Sequence, residues 1–95
     1  MLIQKPIAKN DIITLKLTTG EELIATFLDQ DDNVVTVNRP CSIATSGQGM
    51  GLIPWIITNS GDKVDINKNA VMAMVPTESE IAKSYTESTT NIKLS

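Results

Sequence analysis

Ile13, Leu15 and Leu17 alternate with Thr14, Lys16 and Thr18, and a period of two is the pattern of a half-buried β-strand. Similar short runs recur along the chain. Residues 23–29 place Leu23, Ala25 and Phe27 on one face and Ile24, Thr26 and Leu28 on the other; residues 34–38 form a third run, ended by Arg39-Pro40. Residues 52–58 and 71–75 read as strands four and five and are apolar on both faces, while 63–68 alternates briefly through Val64 and Ile66. Pro54 cannot donate to a ladder, so the fourth run belongs at an edge or a bulge. Thr19-Gly20-Glu21-Glu22, Asp29-Gln30-Asp31-Asp32-Asn33 and Asn59-Ser60-Gly61-Asp62 separate the runs; Asp, Asn, Ser and Gly favour turns. Isoleucine, valine and threonine supply 29 of the 95 residues, and β-branched side chains favour strands.

After Pro76 the period changes. Thr77 with Glu80 has the spacing of a capping box, and Ile81, Ala82 and Tyr85 make one apolar stripe. The expectation is a short helix over about 77–86, then a polar, mobile tail over 87–95. The strands before it, about 11–76, fit a small closed or nearly closed barrel, because closure hides strand edges. The whole chain, 1–95, reads as one all-β domain. A barrel has one interior, so strands four and five have outer faces that need cover. The helix stripe is too narrow to cover both, which implies a homo-oligomer.

Several function classes are excluded. The net charge of -3 argues against bulk coating of nucleic acid, which needs surplus Lys and Arg. With no histidine, the usual base for a nucleophile is missing, and the carboxylates of the acidic turn have no apolar surroundings to raise a pKa. The chain does not read as an enzyme. Cys41 is the single cysteine, which precludes an intrachain disulfide or a cysteine metal cage and fits a reducing, cytoplasmic compartment. No metal or cofactor is expected. The longest apolar run, 50–57, is too short for a bilayer span of about 20 residues.

Two motifs carry a resemblance. Asp29 and Asn33 have the Asp-x-x-x-Asn spacing found between the second and third strands of Sm-like proteins, and Ile66-Asn67-Lys68-Asn69-Ala70-Val71 has the frame of their second motif, Ile-Arg-Gly-Asn-x-Val. Over roughly 11–85 the chain resembles the Sm-like (LSm) family, in particular the short members encoded by tailed phages of marine bacteria. The resemblance implies a five-stranded Sm-like (SH3-like) barrel with a short C-terminal helix. It implies a homo-oligomeric ring in which strand four of one subunit pairs with strand five of the next. It implies a central pore, lined by the loops after strand two and before strand five, that binds single-stranded RNA or DNA in the cytoplasm of an infected host. The nucleic-acid-binding candidates are then Asp31, Asn33, Asn67, Lys68 and Asn69.

The chain departs from the family at several of these positions. Asn67-Lys68 stands where Arg-Gly is usual, and Asp31 where a base-stacking residue is often found. Ala25 lies near the position of a usual glycine, and the helix follows the barrel instead of leading it. A side-chain amide offers a base edge both donor and acceptor, but Asn33 and Asn69 are also turn residues able to satisfy their own backbone. Lys68 suits a phosphate or plain solvent. Asp29 suits a loop-ordering role more than ligand contact. Gly47-x-Gly49-x-Gly51 lacks the Lys-Ser/Thr and helix start of a phosphate cradle, and reads as a hairpin loop. Trp55 reads as a core or interface anchor, and Cys41 as a small buried hydrophobe. The rival function is an oligomeric phage structural or protein-interaction adapter that keeps the fold without binding RNA.

Overall fold

A computed structural model describes residues 6–47, 49–56, 58 and 61–91. Six strands precede one helix: β1 (Ile12–Leu17), β2 (Glu22–Gln30), β3 (Val34–Ser46), β4 (Gly49–Pro54), β5 (Lys63–Asn67) and β6 (Val71–Pro76), then α1 (Ser79–Asn91). A single 3-10 turn, Lys68–Ala70, joins β5 to β6. All pairing is antiparallel, in the order β4-β3-β2-β1-β6, with β5 beside β4 on the same edge of β3. The sheet does not close: among the described residues, nothing pairs with the outer edges of β6, β4 or β5.

The alternation in β1 and β2 is realised as expected. Ile13, Leu15 and Leu17 join Leu23, Ala25, Phe27, Val35, Val37 and Ile66 in one buried cluster on the concave side, with Trp55 and Met74 packed against it. Two bulges help the sheet curl. Between the pairs Ile24↔Cys41 and Thr26↔Asn38, β3 carries one extra residue; between Phe27↔Val37 and Asp29↔Thr36, β2 does. A bulge bends its strand and raises the local twist, so the same nine-residue β2 can serve both ends of the core.

The strand count and several boundaries differ from expectation, each for a local reason. Six strands appear where five were expected, because the run 63–68, which only alternates briefly, forms a strand of its own, β5, and β4 and β5 lie end to end along β3. Residues 42–51, to which no expected strand extends, pair as the β3–β4 hairpin around the expected glycine loop, with Ile43↔Leu52 and Thr45↔Met50 in register. β3 does not stop at Arg39-Pro40. Arg39 takes a left-handed φ of 49° and forms the bulge. Its amide donates to the Asp62 carbonyl (2.7 Å) and its guanidinium pairs with the Asp62 carboxylate (3.1 Å). The Tyr85 hydroxyl donates to the carbonyls of Asn38 and Arg39 at 3.0 and 3.1 Å. The broken ladder groups thus find partners from far along the chain, and the strand resumes.

The capping box at Thr77 does not form. The Thr77 hydroxyl bonds that of Thr14 at 2.9 Å, while the Glu78 carboxylate accepts from the Ile81 amide at 3.1 Å, so Glu78 caps the helix. α1 also continues past residue 86 to Asn91, replacing the first part of the expected tail; residues 92–95, like Ile57 of the expected fourth strand, lie outside the described residues.

α1 lies on the convex side. Its Tyr85 is 2% exposed and packs with Ile24 and Cys41, with Ile12, Ile43, Leu52 and Ile81 around them. The second face of β2 is covered in this way. The edges are not: Ile53, Met72 and Val75 are 53%, 68% and 49% exposed, and Ile56 just beyond β4 is 42% exposed. No described helix is long and apolar enough to cross a membrane.

Candidate nucleic-acid interface

The five candidate residues come from two turns distant in sequence, and the β3–β5 ladder sets them side by side. Val34 is opposite Asn67 in register, and one step further the Lys68 amide donates to the Asn33 carbonyl at 2.9 Å. Asp31, Asn33, Asn67, Lys68 and Asn69 therefore occupy one corner of the sheet. The 3-10 turn is held from the other side by the Thr18 amide, which donates to the Ala70 carbonyl at 2.8 Å.

Within that corner the side chains divide into two kinds. Asp31 Oδ1 accepts from the amides of Asn33 (2.7 Å) and Val34 (2.9 Å), and the Asp31 amide donates to the Val34 carbonyl at 3.0 Å. This is an Asx turn, the local bonding that makes aspartate common in such loops. Asn67 Oδ1 likewise accepts from the Asn69 amide at 2.9 Å, capping the 3-10 turn. Asp31 and Asn67 thus spend side-chain acceptors on their own backbone. Asn33 and Asn69 do not: both are exposed, and no described group hydrogen-bonds either side-chain amide. Of the four turn-forming side chains, Asp31 and Asn67 satisfy the backbone of their turns. Loop ordering, expected of Asp29, also falls to Asp31.

The electrostatics follow from this geometry. The two backbone amides, with a smaller contribution from the nearby Lys68 charge, hold the Asp31 carboxyl below its ordinary pKa, since bonds to the charged form favour it. The corner is thus a fixed carboxylate beside a half-buried lysine and two open amides. That set can offer both donors and acceptors to a polar planar ligand and one cation to a phosphate.

Elsewhere, Gly47 stands in the hairpin turn, Gly49 opens β4 at φ 123° and Gly51 lies within β4; no described helix starts there. Trp55 is half-buried, and its amide donates to the Pro40 carbonyl at 2.9 Å. Burial raises the Cys41 thiol pKa. Among the described residues no group of three or more carboxylates or thiols gathers as a metal site. The bulge lock at Arg39 is a feature that sequence reasoning missed, for Tyr85 appeared only as part of a helix stripe.

No protein of curated function matches the chain. The family model of the Sm-like domain matches residues 14–86, a span that runs from β1 into α1 and contains both turns of the corner. A six-stranded antiparallel sheet, with its second and fifth connections joined at one corner, is thus the setting of the matched segment, and the chain belongs to the Sm-like family.

Proposed function

We propose that copies of this chain assemble edge to edge into a ring and bind single-stranded RNA or DNA at the corner formed by the two turns. The role would be in nucleic-acid processing or regulation. The observation that carries this is the junction of Lys68 with Asn33, which brings Asn33, Lys68 and Asn69 together with their side chains open to a ligand. Support for the ring comes from the open edges of β6 and of β4 with β5. Strand edges invite pairing with another chain, and those here carry Met72, Val75, Ile53 and, adjacent, Ile56. Repetition around a ring turns one weak contact per subunit into avidity.

The test is a light-scattering mass together with binding of single-stranded RNA at several salt concentrations. An oligomeric mass is expected, with binding that Lys68→Ala weakens alike for every sequence while lowering the salt slope by about one per lysine contact. A monomer mass would overturn the ring. An oligomer that binds no RNA would favour the second reading, a protein-interaction adapter, for which the exposed Asp31 carboxylate and the net charge of -3 speak.

A further inference from the structure

Resting on the RNA-binding reading, we infer that Asp31 sets base choice at the corner, favouring guanine and rejecting uracil. Oδ1 takes two backbone amides, at 2.7 and 2.9 Å, which uses its two lone-pair directions. The side chain is thereby fixed before any ligand arrives. Oδ2 receives no hydrogen bond from any described group, and no described cation lies within ion-pair distance of it. The corner therefore presents one pre-oriented, acceptor-only oxygen, on the turn that also carries Asn33 and beside the turn that carries Lys68 and Asn69.

Such an oxygen sorts bases by their donors. Guanine offers N1–H and the N2 amino group side by side, two neighbouring donors that Oδ2 can accept together as a forked pair with no acceptor between them. Adenine and cytosine offer one amino group next to a ring nitrogen that is itself an acceptor and is repelled. Uracil offers only N3–H, flanked by the O2 and O4 carbonyls, so a carboxylate approaching that proton meets repulsion on both sides. Single-stranded bases are read on these edges, and leaving a donor or acceptor mismatched costs more than a made bond gains. Lys68 adds a phosphate contact that is blind to the base.

Asp31→Asn tests this with little disturbance to the loop, because an asparagine Oδ1 accepts the same two amides while Nδ2 replaces the free acceptor by a donor. Binding of the intact oligomer would be measured on short RNAs of alternating adenine and guanine, alternating adenine and inosine, and uridine alone. Wild type should hold the guanine RNA about tenfold tighter than oligouridine, with inosine, which lacks the N2 amino group, between them. Asp31→Asn should abolish or invert that ratio. Asp32→Asn, which removes the same charge one residue away, should raise affinity for all three and leave the ratio unchanged. Equal or tighter binding of oligouridine by wild type, or a ratio that survives Asp31→Asn, would overturn the inference while leaving RNA binding intact. Failure of wild type to bind any of the three would overturn the RNA reading itself.

Discussion

Two apolar surfaces lie outside the concave core, and the chain treats them differently. The outer face of β2 and the adjoining part of β3 present Ile24 and Cys41, and α1 closes over them with Tyr85 and Ile81. The outer edges, with Ile53 on β4 and Met72 and Val75 on β6, have no such cover. The contrast teaches where the chain's stability is internal and where it is offered outward. Under α1, burial is joined to polar bonds that no other copy is needed to complete. At the edges, exposed apolar side chains sit on strands that no further described strand joins, the combination that a second strand would satisfy.

The largest effect should come from removing the internal cover. Tyr85→Ala deletes a fully buried ring and the hydroxyl that serves two bulge carbonyls, and such aromatic truncations cost about 3–5 kcal/mol. For a domain with net stability at the low end of about 5–15 kcal/mol, urea denaturation should show most of the stability gone. A loss under about 1 kcal/mol would mean that α1 is not the cover.

A middle effect should appear at alkaline pH. Burial raises the pKa of both Cys41 and Tyr85 in the folded chain, so as pH rises the unfolded chain gives up these protons first. Stability is then complete below the ordinary thiol range and falls as pH climbs through it toward the raised native values. Tyr85→Phe should cost about 1 kcal/mol at neutral pH for the lost hydrogen bonds, and with Cys41→Ala should flatten the alkaline decline. Denaturant midpoints across pH would measure this; an unchanged decline in the double variant would place its origin outside the α1 cluster.

The smallest effect on the fold itself should come from the edges. Met72→Glu with Val75→Glu changes exposed positions and should move the stability of the isolated subunit by only about 0.5 kcal/mol each. The same pair should convert an oligomeric mass to a monomeric one. An oligomer that persists unchanged would erase the distinction between the two surfaces.

Legibility in the sequence followed the range of the interactions. β1 and the inner face of β2 were readable because Ile13, Leu15, Leu17, Leu23, Ala25 and Phe27 follow the pleat locally. The C-terminal half of β3 was not, because Arg39-Pro40 is a local stop and what carries the strand past it, Tyr85 and Asp62, lies 46 and 23 residues away. The helix start failed for the same reason at longer range, as Thr14, 63 residues away, bonds the Thr77 hydroxyl and the adjacent Glu78 takes the cap. At the corner, the motif frames named the right two turns. They did not say which side chains would be consumed by the backbone, since Asp31 and Asn67 are as good turn formers as Asn33 and Asn69 and only the final hydrogen bonding separates them.

The bulge at Arg39 has a consequence for the order in which the chain can fold. The hairpin of β3 and β4 carries an edge able to capture another strand, yet the bend that sets its direction is fastened by residues 62 and 85. Closing contacts so far apart in sequence comes late, after local turns and adjacent strands. On a growing chain, residue 85 must emerge before that edge takes its final course. The surface that would join one copy to another is therefore completed only once the subunit has nearly finished folding, which shortens the time during which half-made subunits can pair wrongly.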